Sequence, residues 1–286
     1  MSKRNFMLFP NFCQKAVTLS YDDGVRQDKK LIEIMLKHGL KGTFNINSGF
    51  FDKEFNGQTT GRMTKEEALS LYVKSGMEVA CHGYKHLPLL NLDLSVVNNE
   101  IATDRKELEN LFGTIINGMA YSFGHCSDEI VSVLKTCGIK YSRTTVSTES
   151  FSIPNDWLKA PATCHHKNPK LMDLAKEFIS IEQNPYSLAK EPLLFSLWGH
   201  SYEFDRDDNW KVIEEFAEYI GGRKDVWYAT WGEIYSYVKA FDSLEYSMDG
   251  TKVYNPSGIT IYYTNYGKQF EIKPLETVTV GEKGIL

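Results

Sequence analysis

Short apolar runs alternate with stretches of helical period along most of the chain. Residues 16–20 predict a buried strand. Residues 28–38 follow with Leu31, Ile32, Met35 and Leu36 on one helical stripe, stopped by Gly39. Residues 41–46 predict the next strand. Thr64-Lys-Glu-Glu67 is a capping box that opens a helix ending at Gly76. A strand is expected over 77–81. A long helix is expected over 93–112, with Leu94, Val97, Ile101, Leu108 and Leu111 facing inward. The alternation continues with strands over 116–121, 139–144, 158–163, 193–198 and 226–230. The intervening helices fall over 127–137, 169–180, 210–220 and 233–240.

Strand–helix alternation over roughly 240 residues implies an α/β fold with a parallel sheet and helices outside it. No G-x-G-x-x-G follows the first strand, so a dinucleotide fold gains no support and a (β/α) barrel is the better expectation. Its site would lie at the C-terminal ends of the strands. After Phe241 the period changes. Asp249-Gly250, Tyr266-Gly267 and the alternating stretches 259–263 and 269–272 predict hairpins. The expected division is a barrel over 1–241 and a small β appendage over 242–286.

The chain has 286 residues and is 42% hydrophobic, enough for one sizeable core. Its net charge of −5 argues against a nucleic-acid partner, which requires a basic footprint. No stretch is apolar enough to span a membrane. The five cysteines form no C-x-x-C pair, and the N-terminus reads as no signal peptide, so a reduced, cytoplasmic setting is expected. Oligomeric state cannot be read from the sequence.

Three clusters carry chemistry, and each falls at the end of an expected strand. Tyr21-Asp22-Asp23-Gly24 places two carboxylates side by side, which repel unless a cation or hydrogen bonds relieve them. The same residues also make an ordinary turn. His82-Gly-Tyr-Lys-His86 brings two imidazoles onto one ion if the segment forms a helical turn; otherwise they are surface residues. Leu197-Trp198-Gly199-His200 ends a strand with a histidine. Together, an Asp and two His make an open coordination set with room for water and substrate.

In this combination the sequence resembles the polysaccharide deacetylases, the NodB-homology group of carbohydrate esterases, over about residues 16 to 240. The resemblance implies a distorted barrel of about seven strands. It implies that Asp22 is the catalytic base, that Asp23, His82 and His86 hold one divalent ion, and that His200 is the acid. Zinc is the expected ion for two nitrogens and one oxygen. Trp198 would wall the acetyl pocket. The Arg-Pro-Pro-Tyr-Gly-like segment of the family stands here as Ala120-Tyr121-Ser122-Phe123-Gly124. Phe123, with Tyr121 beside it, would serve the oxyanion through a backbone amide, but the arginine that holds the base is missing. Arg143 is the nearest substitute; a surface ion pair or a substrate contact is its alternative role. The implied reaction removes acetyl from an N-acetylated carbohydrate. Two other readings are a metal-free amidohydrolase of a cyclic amide or ureide, and an inactive carbohydrate-binding scaffold. The retained ligand set argues against the first. The retained Asp22 and His200 argue against the second.

Overall fold

A computed structural model describes residues 6–55, 58–59, 61–182, 191–265 and 267–280. Tyr266 of the expected turn and residues 281–286 of the expected appendage lie outside the described residues.

The central strand β1 (Lys15–Asp22) is buried at every position, with the polar Lys15, Thr18, Ser20 and Asp22 enclosed as well as its apolar residues. All its pairings are parallel. It pairs along Lys15–Tyr21 with β7 (Leu193–Gly199). Its other edge is shared. β8 (Val226–Tyr228) takes the lower half and β2 (Gly42–Ile46) the upper half. Gly42 sits where β2 swings in against β1; a Cβ there would lie 2.7 Å from the Leu19 carbonyl oxygen. β3 (Glu78–Cys81), β4 (Gly118–Ala120) and β5 (Tyr141–Ser147) continue the sheet.

The segment β6 closes the ring. Its first part, Ala160–Ala162, pairs with β5, and its second, Cys164–His165, pairs with β7. The Glu149 amide donates to Thr163 O at 2.9 Å, and the Thr163 amide donates to Ser196 O at 2.9 Å. The result is a distorted parallel barrel, with β8 wedged in below β2. Helices α1 (Asp28–Lys37), α2 (Lys65–Ser75), α3 (Leu94–Phe112), α4 (Asp128–Thr136), α5 (Leu171–Ser180), α6 (Tyr202–Arg206), α7 (Trp210–Ile220) and α8 (Trp231–Asp242) follow the strands. The Thr64–Glu67 capping box opens α2 as expected. Among the described residues no helix is long and apolar enough to cross a membrane.

Two strand boundaries differ from expectation in ways that affect the rim. Residues 157–159 form a 3-10 turn, held by the Asp156 carboxylate on the Leu158 amide, so β6 runs on to His165. β5 extends to Ser147, which puts Arg143 inside the strand rather than near its end. On α3, Leu94 does not face inward; it sits in the first turn, 48% exposed. The buried face instead carries Glu100 and Asp104 beside Val97, Ile101 and Leu108.

Beyond α8 the chain forms two antiparallel sheets. β9 (Glu245–Tyr246), β10 (Lys252–Tyr254) and β13 (Thr277–Thr279) make one. β11 (Ile261–Asn265) and β12 (Lys268–Ile272) make the other, joined by Met7–Leu8 from the start of the chain. Val253, Ile261 and Ile272 share an apolar cluster with Ala16, Tyr141 and Leu194, which open β1, β5 and β7. These strands therefore pack against the N-terminal end of the barrel strands.

Candidate active site

The C-terminal rim gathers Asp22 and Asp23 after β1, His82 and His86 after β3, Phe123 after β4, and Trp198 and His200 at the end of β7. Asp23 and Gly24 both adopt positive φ, 88° and 63°. The left-handed turn is one that Asp tolerates and Gly favours. A Cβ on Gly24 would meet Ile46 at 2.9 Å. The turn sends the two adjacent carboxylates to different partners.

Asp22 meets Arg143. Nη2 of Arg143 donates to both carboxylate oxygens at 2.5 Å, and Asn45 Nδ2 donates to Oδ1 at 2.8 Å. Both members of the ion pair are 3% exposed at the side chain. Nε of Arg143 donates to Ser20 Oγ at 3.0 Å, and the guanidinium lies 4.6 Å from the Trp198 ring. Ala120, where the family-like arginine is missing, is the direct register partner of Arg143 across β4 and β5. The guanidinium thus comes from the neighbouring strand at the same height. Burial pushes the Asp22 carboxyl up, but the charges of Arg143, His82 and His200 outweigh it and bring the pKa down to about 2.

Asp23 meets the two imidazoles. Its Oδ1 lies 3.9 Å from His82 Nε2 and 3.8 Å from His86 Nε2, and it has no hydrogen-bond partner although buried. His82 Nδ1 donates to Ala120 O at 2.8 Å, which leaves a lone pair on Nε2 facing Asp23. These donors lie within 4.8 Å of one another, and an unsatisfied buried oxygen beside a free imidazole lone pair fits a divalent ion. Burial, with the charges of His82 and Arg62, lowers the His86 pKa to about 4, so the ring is neutral as a ligand must be.

The H-x-x-x-H segment is not a helical turn. It is a loop in which Gly83 and His86 have positive φ. Two carboxylates from α3 shape it. Glu100 Oε1 accepts from the Lys85 amide at 2.5 Å, and Asp104 accepts from the amides of His82 and Ser48 at 2.9 and 2.8 Å. Both were missed in the sequence, where the signal was two acids on an inward apolar stripe. Arg62 was missed with no comparable signal. It donates to the Asp23 carbonyl oxygen and lies 3.3 Å from Asp23 Oδ1.

His200 Nδ1 lies 3.3 Å from Glu203 Oε2. Burial lowers its pKa, but Glu203, Asp22 and Asp23 outweigh this and raise it, which favours the imidazolium. Glu203 also meets Nε2 of His165 and His166 at 3.1 and 3.3 Å. This second cluster is spaced closely enough for an ion. The tautomer argues otherwise: His165 Nδ1 accepts the Lys167 amide at 3.1 Å, so its Nε2 carries the proton and donates to Glu203. His165 and His166 therefore gather with His200 around Glu203, and His166 is buried with neither ring nitrogen in a hydrogen bond. Asp205 does not join it; it accepts from Gln27 and Trp210.

Phe123 has φ 61° and is 53% exposed, with its ring 4.6 Å from that of His86. Trp198 is buried and lines the rim between Arg143 and His165. Tyr121 does not reach the mouth. Its ring lies in the core and its hydroxyl donates to Leu158 O at 2.7 Å.

Asp28, fully buried at the start of α1, accepts from Tyr72 OH at 2.6 Å and Ser201 Oγ at 2.5 Å. Burial outweighs those hydrogen bonds and raises its pKa from 3.8 to about 7. The native state then binds a proton that the unfolded state releases between these values, so this carboxyl's contribution to stability falls as pH rises from about 4 to about 7. Asp28→Asn is expected to flatten the pH dependence of Tm over that window. Equal Tm slopes for the variant and the parent protein would contradict the assignment.

Residues 10–142 match the family model described as polysaccharide deacetylase, a span that ends just before Arg143 and does not include His200. A bifunctional xylanase/deacetylase of Pseudobutyrivibrio xylanivorans is 21% identical over 229 residues, 77% of this chain and 33% of that protein. The chain thus spans about a third of the length of the curated relative it matches. Among solved structures, a protein assigned to the polysaccharide deacetylases from Mycobacterium smegmatis superposes with a TM-score of 0.58 at 17% identity, covering 82% of this chain and 93% of that one. A family 4 carbohydrate esterase from Streptomyces lividans, solved with acetate, gives a TM-score of 0.49 at 15% identity, covering 75% and 91%. The first of these likenesses establishes the barrel fold.

Proposed function

We propose that the chain, whose residues 10–142 match the polysaccharide deacetylase family model, hydrolyses the acetamide of an N-acetylated sugar or oligosaccharide. The observation that carries the reading is the buried Asp23 Oδ1, which has an ion-pair contact from Arg62 but no hydrogen bond, facing the free Nε2 of His82 and that of His86. These three residues would hold a divalent ion, zinc by the chemistry of the set, which would supply Lewis acidity and lower the pKa of water.

The chain's own residues do the rest. Asp22, held ionised and oriented by Arg143, accepts the proton of the attacking water. The Phe123 amide, in its left-handed turn, donates to the oxygen that gains charge. His200, held through Nδ1 by Glu203, delivers its Nε2 proton to the amine, which cannot leave as an anion. Trp198 contacts the acetyl methyl. Arg143 acts through Asp22 and does not touch substrate, because it is enclosed by Asp22, Ser20 and Trp198.

The intact base, acid and ligand set supports an enzyme over an inactive carbohydrate-binding scaffold, and the fit of Asp23, His82 and His86 to an ion supports it over a metal-free amidohydrolase. The described residues from 242 to 280 serve as a packing appendage below the barrel. The five free cysteines support a reducing compartment. An acetate-release screen on N-acetylated amino-sugar oligomers and acetylated xylan tests the reading. Release from the amino sugars is expected; release from xylan alone would overturn the amide assignment.

A further inference from the structure

Asp28 has no part in the chemistry above, yet its carboxylate lies between the two loops that perform it. The loop from Asp23 to Gln27, which follows Asp22 at the end of β1, leads directly into Asp28 at the first turn of α1, and the Asp28 amide donates back to Val25 O at 3.0 Å. On the other side, Oδ1 accepts from the hydroxyl of Ser201, the residue after His200. Oδ2 accepts from Tyr72 of α2. Both Asp28 and Ser201 have no exposed surface. One position earlier, Gln27 Nε2 donates to Asp205 Oδ2 at 2.9 Å, and Asp205 also accepts from Trp210 Nε1 at 2.7 Å. The start of α1 is therefore bonded to Ser201, the neighbour of His200, and to Asp205 in the segment that follows it.

We propose that Asp28 and Ser201 are positioning residues that set the distance between the base loop after β1 and the acid loop after β7. The inference rests on the proposed roles of Asp22 and His200. Acid and base act on opposite sides of one reacting carbon, so an error in their spacing is felt in the transition state more than in substrate binding. The chain leading from His200 into α6 needs such a pin. α6 has only five residues, too few to hold the loop through its own hydrogen bonds. Glu203 fixes the direction of the His200 ring, whereas the Asp28–Ser201 bond fixes where the loop stands relative to Asp22.

Two measurements test this. In the zinc-loaded protein, Ser201→Ala is expected to lower kcat for acetate release by about 10- to 100-fold while KM stays within about twofold. Ser201→Thr, which keeps the hydroxyl, should recover most of the loss. Because Ser201 acts through His200, adding Ser201→Ala to His200→Ala should slow the residual rate by less than about twofold. A full multiplicative loss in the double variant would overturn the proposal. A His200→Ala protein as fast as its parent would instead overturn the acid assignment, leaving the two failures distinguishable. Without any substrate, amide hydrogen exchange over 199–206 should quicken in Ser201→Ala and stay unchanged over β1. Unchanged protection at 199–206 would equally overturn the proposal.

Discussion

Asp22→Asn and His200→Ala are each expected to lower kcat by about 10²–10⁴-fold, the usual worth of a general acid or base. Asn cannot accept the water proton, yet it preserves the shape of the carboxylate and an acceptor for Arg143. Without the imidazole, the amine has no proton donor held at Glu203. Neither residue belongs to the Asp23–His82–His86 set, so zinc affinity should stay within about tenfold in both variants. The two should differ in stability. His200 is half-buried at the rim and its loss should be nearly neutral. Asp22 is buried against Arg143, and Asn leaves that guanidinium without its counter-charge. A loss of turnover below about tenfold in either variant would contradict the assigned role.

Arg143→Ala should damage both folding and catalysis. Breaking a buried ion pair by removing one partner typically costs about 3–5 kcal/mol, because the remaining charge is buried unpaired. Asp22 keeps only the Asn45 donor. The sign follows from the shift: in the native protein the Asp22 pKa lies near 2, below its ordinary 3.8, so the pair contributes stability above about pH 4 that is lost as pH falls toward 2. With Arg143 removed, burial acts against the charged form with less opposition, so the carboxyl pKa rises. The acid limb of kcat/KM should therefore move to higher pH. Arg143→Lys should retain part of the stability and a smaller part of the activity, since an ammonium replaces the charge but not the guanidinium geometry that spans Asp22 and Ser20. An unchanged Tm and acid limb in Arg143→Ala would show that the arginine does not hold the base.

The barrel was legible because its strands are buried on both faces, so apolar runs such as 16–20 and 193–198 stand out against the helical stripes between them. The site was legible where strand ends carry conspicuous chemistry: Asp-Asp-Gly, the histidine pair and Trp-Gly-His. Arg143 could be singled out only because an arginine was missing at Ala120; that the two share a register is a fact of sheet pairing, invisible in a linear pattern. The shape of the His82–His86 loop was misread as a helical turn because its determinants, Glu100 and Asp104, come from α3. Their place on the apolar stripe was the available clue, and it was overlooked in favour of Leu94, which is exposed. Tyr121 was placed near the mouth by its neighbour Phe123, but consecutive residues diverge where the strand gives way to the turn. β6 was expected to end at residue 163, short of His165 and His166. Arg62 arrives from a loop whose docking, through the bridge between Val25 and Arg62, no local period encodes.

The central claim is that Asp23, His82 and His86 hold one ion on which acetate release depends. The most direct measurement is a zinc titration of the chelator-stripped protein, following acetate released from an N-acetylglucosamine oligomer together with metal bound. The account predicts no release from the stripped protein, a rise that saturates at one bound equivalent, and neither binding nor release at that equivalent in His82→Ala. Full activity in the stripped protein, or an unaltered titration in His82→Ala, would contradict it.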